Sequence, residues 1–287
     1  MSDLQCRLSS LFVHPIKSCG GIAVPDSLLI ETGLEFDRAW MVVDAAGAML
    51  TQRELPRLAL VRPTLKAHDM VLRAPGMLAL HIALDRVELP TRARVWDDEV
   101  KAYDMGALAA QWFSDFLGRR GDEMLRLVRF DPEQRRLSSR LWTGEFEAEN
   151  AFADAFPLLV SSTASLAELN TRLAARGVAP VGIERFRPNL VLDGIEAFDE
   201  DHIDEIVIAA DEGPVRLKLV KPCVRCTIPN VDPASGEAGH EPGDTLAGFR
   251  ADARMNGGIT FGMNAIVLEG QEHTLRVGQT ATATLKF

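Results

Sequence analysis

Short apolar runs broken by Gly, Pro and Asp fill the first hundred residues and predict strands. These runs are LSSLFVHPI, SLLIET, AWMVVDA, AMLTQ, LALVRPTLKA, MVLRA and RARVWDDEVKAYD. Each is short and bounded by turn residues, a spacing that suggests an antiparallel sheet or barrel. A helix follows, with Asp104 as its N-cap, apolar positions at Leu108, Trp112, Phe113 and Leu117, and Gly118 placed to end it. It closes a first lobe.

The second lobe opens with Phe152 to Val160 and then SSTASLAELNTRLAARG. Here Ser165 and Glu168 form a capping-box pattern, Leu166, Leu169 and Leu173 share one helical face, and Gly177 terminates. The remaining runs, FRPNLVLDG, IDEIVIAA, PVRLKLVKPC, GITFGMNAIVLEG and HTLRVGQTATATL, read as strands. The pattern predicts a mainly β (α+β) protein with peripheral helices, in two closely packed lobes spanning 1–125 and 126–287.

With 287 residues, 47% of them hydrophobic and 25% charged, the chain has ordinary globular composition. A net charge of −10 and a pI near 5.2 argue against a nucleic-acid partner, because no basic run with interleaved aromatics reverses the sign locally. No apolar stretch reaches the roughly 18 residues of a membrane span, and MSDLQCRLSSLFVHPIKS lacks the apolar core of a signal peptide. The expectation is a cytoplasmic protein without a membrane partner.

The four cysteines are Cys6, Cys19, Cys223 and Cys226, too few for a disulfide scaffold of this size. Cys223 and Cys226 form a CxxC within KPCVRCTIPNVDPASGE, directly after a strand-like run. A structural zinc site needs two further ligands, for which only scattered candidates such as Cys19 and His240 exist. A thioredoxin-like dithiol needs a helix after its first cysteine, and Pro229, Asp232, Pro233 and Gly236 oppose one. A pair of ordinary loop thiols is the bland alternative. Lys221 and Arg225 bracket the pair with positive charge, which favours a thiolate, the form that ligates a soft metal.

Six ordered blocks span nearly the whole chain: FVHPIKSCGG, FDRAWMVVD, FADAFPLLVSSTASLAELN, RFRPNLVLDG, KPCVRCTIPNVDPASGE, and FGMNAIVLEG with LRVGQ. On these blocks the sequence resembles the molybdenum cofactor sulfurase C-terminal (MOSC) domain proteins with their N-terminal β-barrel domain. Within that family it resembles the mitochondrial amidoxime-reducing component and its bacterial counterparts. The resemblance implies an N-terminal β-barrel-like domain packed on a MOSC barrel, with the molybdenum-molybdopterin cofactor in the cleft between them.

By position, the resemblance makes Cys226 the molybdenum ligand and leaves Cys223 without that role. It assigns the pterin phosphate to Lys17, Ser18, Arg38 and Arg187, and adds Asn189, Arg225 and Asn264 to the cofactor-binding set. His14, before Pro15, reads as structural. Asn264 stands where some relatives carry an aromatic residue, and Pro229-Asn230 where some carry Thr-Thr, which would reshape the substrate rim.

The implied activity is reduction of N-hydroxylated compounds, with the metal carrying the bond cleavage. No Gly-rich dinucleotide fingerprint follows a strand, so the electrons are expected from a separate ferredoxin-like or cytochrome b5-like protein. The alternative is a non-catalytic cofactor carrier or sulfur-transfer module.

Overall fold

A computed structural model describes residues 3–86, 89–119 and 121–286. Seven strands close a barrel in the order Leu158–Ser162, Leu190–Asp193, Leu4–Val13, Thr280–Leu285, Ile203–Ala210, Gly213–Val224 and Gly258–Glu269, the last pairing back onto the first. All neighbours are antiparallel except the first two, which run parallel and are joined through the helix Thr163–Ala175. Alternation sends Ile206, Ile208, Leu217, Leu219, Ala281 and Ala283 inward. In Leu4–Val13 a bulge between Leu8 and Ser10 resets the register, so that Leu8 and Leu11, three apart, are both buried.

A second, four-stranded antiparallel sheet runs Trp40–Val43, Arg126–Phe130, Asp98–Asp104, Leu89–Val95. Three further strands, Arg62–Leu65, Asp69–Arg73 and Leu80–Ala83, pack with it around Trp40, Leu58, Met70, Phe113 and Leu127. The mainly β, two-lobed expectation therefore holds. Hydrogen bonding nevertheless crosses the division at 125 and 126: Leu4–Val13 is a central barrel strand, and Arg126–Phe130 is a central strand of the other sheet.

Local chemistry moved several boundaries. AMLTQ forms no strand; Asp44 accepts amide hydrogens from Ala46 and Ala48 and turns the chain instead. The start of LALVRPTLKA winds into the 3-10 turn Pro56–Leu60 before the strand begins at Arg62. The first helix spans Ala107–Leu117 and ends in left-handed Gly118 as expected, but its N-cap position is Gly106. Asp104 instead accepts from the Gly106 amide at 2.7 Å and pairs with Arg126, and Leu108 is exposed. In the second helix Ser162 is the cap, accepting from the Ser165 amide at 3.0 Å, so the expected capping box is displaced by one turn; Leu169 and Leu173 are buried as the pattern requires. Among the described residues no helix is long and apolar enough to cross a membrane.

Where the lobes meet, main-chain hydrogen bonds tie them together. The Lys17 amide donates to Trp40 O at 2.8 Å, the Arg38 amide to His14 O at 2.9 Å, and the Phe152 amide to Arg38 O at 3.0 Å. Asn189 joins the same junction, its amide donating to Leu159 O at 2.8 Å.

Candidate functional site

A cleft opens at this junction. Lys17, Ser18, Arg38, Arg187, Asn189, Arg225, Cys226 and Asn264, singled out from separate parts of the sequence, all line it. Thr51, Arg53, Asp154, Phe156 and Phe186 line it too and carried no sequence signal of their own. Five cations, Lys17, Arg38, Arg53, Arg187 and Arg225, thus face a single carboxylate, Asp154, among the described lining residues. In a chain of net charge −10 this is a local reversal of sign, suited to an anionic ligand.

Three of these residues are held in the left-handed region: Ser18 at φ 66°, Arg38 at φ 49° and Arg187 at φ 56°. Non-glycine residues adopt that conformation at a cost of about 1–3 kcal/mol each, sustained where surrounding contacts dictate it. Those contacts are visible. Arg38 donates to Asp37, to Asn189 Oδ1 at 3.1 Å and to Arg187 O at 3.0 Å. Asn189, fully buried, also accepts from the Leu159 amide at 3.1 Å and donates to Phe12 O at 3.2 Å, so one side chain links three segments. Arg187 donates to Cys19 O, while its Nη2 is buried without a partner among the described residues. Burial, then the neighbouring Arg38, lowers the Arg187 pKa to about 10, so it remains charged at neutral pH.

Lys17 is nearly buried and donates to Phe152 O at 2.9 Å and Asp154 Oδ1 at 2.6 Å. Burial lowers its pKa, and the Asp154 charge pulls the other way. Asp154 stands at the cleft mouth with 59% of its side chain exposed. Against the desolvation of its crowded surroundings, the Lys17, Arg53 and Arg38 charges hold its carboxyl well below the usual carboxylate range.

His14 has the structural role expected of it. Its ring is fully buried, with Nε2 3.1 Å from Pro188 O, directly before Asn189. Burial, Arg187 and Arg38 all push its pKa well below 6.5, so the ring is neutral.

The two CxxC sulfurs differ. Arg225 Nη1 donates to Cys223 Sγ at 3.0 Å and its Nη2 to Phe186 O at 2.9 Å. Lys221 Nζ lies 5.2 Å from the Trp142 ring centroid. Of the two charges expected to favour a thiolate in this pair, the Arg225 guanidinium is thus bonded to Cys223, and Cys226 is the exposed thiol. Among the described residues no three His, Cys, Asp or Glu side chains gather as a metal site, so the zinc reading gains no additional ligands there.

Residues 5–120 match the model of the MOSC N-terminal beta barrel domain, and residues 147–282 that of the MOSC domain. The mitochondrial amidoxime reducing component 2 of Rattus norvegicus is 38% identical over 85% of this chain and 72% of its own length. The chain belongs to the MOSC domain family. Mitochondrial amidoxime-reducing component 1 of Mus musculus is 37% identical over 85% of this MOSC chain and 71% of its own length, and component 2 of Homo sapiens is 34% identical over 85% and 72%.

The rim residues singled out in the sequence are placed differently. Asn264 faces the cleft and donates to Lys221 O at 3.2 Å. Pro229 and Asn230 are not among its described lining residues: Pro229 is buried, and Asn230 Oδ1 accepts from the Gly243 amide at 2.9 Å, holding a neighbouring loop. Ile228 is the residue of that turn that reaches the cleft.

Proposed function

We propose that this MOSC protein holds the molybdenum-molybdopterin cofactor, with Cys226 as the metal's protein ligand, and reduces N-hydroxylated compounds. The observation that carries the reading is the junction cleft itself, where five cations surround an exposed cysteine in an acidic protein. A phosphate-bearing, thiolate-seeking ligand suits that donor set, and the unpartnered buried Nη2 of Arg187 is a donor available to it.

When bound, the cofactor supplies a two-electron reduction that removes oxygen from the substrate nitrogen. The chain supplies binding and orientation. Lys17, Ser18, Arg38 and Arg187 hold the phosphate; Asn189 fixes the Arg38 guanidinium, and Arg225, anchored on Phe186 O, fixes the cysteine loop beside Asn264. The electrons come from a separate ferredoxin-like or cytochrome b5-like protein. The four free cysteines fit a reducing, cytoplasmic compartment.

The test is elemental analysis of the purified protein, joined to an amidoxime reduction assay with a reconstituted electron-transfer chain. Stoichiometric molybdenum with turnover is the expected result. Zinc, or no metal after expression in a host that makes the cofactor, overturns the reading; molybdenum without turnover identifies a carrier instead.

A further inference from the structure

Asp154 is the one acidic group among the described cleft-lining residues, and its main chain is unusually well fixed. The buried Arg136 guanidinium donates to Ala151 O at 3.0 Å, Ala153 O at 2.7 Å and Asp154 O at 3.3 Å. The same group pairs with Asp98 at 2.8 Å, which fastens the turn between Leu89–Val95 and Asp98–Asp104 against this segment. Trp96 lies in that turn with left-handed backbone, φ 54°. Its Nε1 donates to Asp154 Oδ1 at 3.2 Å, and Arg53 Cζ sits 4.8 Å from its ring centroid. One oxygen, Asp154 Oδ1, therefore accepts from both Lys17 and Trp96.

The side chain that makes these two bonds is mostly exposed, while the backbone that carries it is locked. Rotating it away from Lys17 delivers the carboxylate to water and disturbs no core packing. Lys17, by contrast, is nearly buried, and its second bond, to Phe152 O at 2.9 Å, does not depend on the Asp154 side chain. A ligand phosphate offers more acceptor oxygens than a carboxylate and can reach Arg38 and Arg187 as well.

We infer that Asp154 holds the place of the ligand's anion: an incoming phosphate takes Lys17 from it, and the displaced carboxylate lets go of Trp96 at the cleft mouth. This rests on the phosphate-binding reading above. Loading the cleft is thereby coupled to the position of an aromatic side chain supplied by the other lobe.

Inorganic phosphate is the probe, titrated into the full chain prepared in a host that cannot make the cofactor. Asp154→Asn removes the competing charge and should bind phosphate about tenfold more tightly than the wild type by calorimetry. Asp154→Ser serves the same purpose should the first variant fold poorly. Trp96 is the exposed member of the four tryptophans, Trp40 and Trp112 being buried and Trp142 partly so. Phosphate should therefore shift the wild-type tryptophan emission, and Trp96→Phe should abolish that shift. Lys17-dependent phosphate binding that is equal or weaker in the Asp154 variants overturns this inference and leaves the phosphate reading standing. Failure of phosphate to bind either protein overturns both.

Discussion

Arg225 lies within hydrogen-bond distance of Cys223, 3.0 Å from Nη1 to Sγ, and leaves Cys226 exposed three residues further on. The two thiols of one CxxC have thereby acquired different duties: Cys223 helps hold a guanidinium whose other arm is tied to Phe186 O, and Cys226 is available to a ligand. Cys226→Ala should lose both molybdenum and reductase activity. Cys223→Ala should keep most of each, because Arg225 retains its carbonyl anchor. Neither change leaves a core cavity of the kind that costs about 2–5 kcal/mol, so thermal unfolding should be nearly unchanged. Equal loss of metal in both variants would refute the distinction.

Lys17 and Arg187 point donors into the cleft from opposite lobes. Each charge-assisted hydrogen bond to a phosphate contributes on the order of 1.5–3 kcal/mol, roughly ten- to a hundred-fold in affinity. Lys17→Ala and Arg187→Ala should therefore be purified with much less molybdenum, while turnover per bound metal changes little. The measurement is activity normalised to molybdenum content. Full occupancy in both variants would rule out the phosphate role.

The cleft was legible in the sequence only where a local motif carried it. Lys17-Ser18, Arg38, Arg187 to Asn189 and Arg225-Cys226 sit in compact blocks whose residue types already suggest cation and thiolate chemistry, and folding brings them together. Arg53, Asp154 and Trp96 were not singled out in the sequence, Trp96 lying in a run read as a strand and Asp154 in a block read for its apolar positions, and only the packing of one lobe against the other gives them a shared purpose. The strands were legible from alternation, as in Ile203–Ala210. Helix starts were misplaced, because the caps depend on which hydroxyl or glycine the tertiary chain direction presents, Ser162 rather than Ser165 and Gly106 rather than Asp104. The sequence likewise placed charge beside both cysteines without showing that Arg225 turns to the first.

The KSCGG block needs its second glycine for a steric reason. A Cβ at Gly21 would lie 2.5 Å from His14 Nδ1, and the His14 ring is fully buried and held at Pro188 O. Gly21→Ala should destabilise the protein by about 1–3 kcal/mol, the usual cost of overpacking. Urea or guanidinium denaturation measures it, and an unchanged midpoint would show that the ring yields.

His14 also predicts a pH dependence of stability. Its folded pKa lies well below the 6.5 of a free imidazole, through burial first and then Arg187 and Arg38. The unfolded chain therefore binds the proton first, so the stabilisation is present above about pH 6.5 and is lost as pH falls through that value, by up to about 1.4 kcal/mol per pH unit. His14→Gln should flatten the wild-type slope between about pH 6.5 and 5 by one proton. Parallel slopes in the two proteins would mean that His14 is protonated in the fold.

The source of electrons is the remaining question with a structural handle. A parallel βαβ unit is where a dinucleotide would bind, its pyrophosphate resting on a Gly-rich turn at the helix N-terminus. Among the described residues there is one such unit, Leu158–Ser162, Thr163–Ala175 and Leu190–Asp193, but the turn between strand and helix reads Ser161-Ser162-Thr163. The Ser162 hydroxyl accepts from the Ser165 amide at 3.0 Å and bonds Glu200 Oε2 at 3.0 Å, so the helix end is already capped from within. Ser161 and Ser162 are fully buried, and a carboxylate occupies the space where a pyrophosphate would need positive surroundings. Purified protein with NADH or NADPH alone should therefore show negligible reduction of a hydroxylamine-type substrate. Adding a ferredoxin or a cytochrome b5 together with its reductase should restore turnover, with the rate rising with the concentration of the small redox protein. Robust turnover with pyridine nucleotide alone would place a nucleotide site elsewhere on the chain and remove the need for a partner.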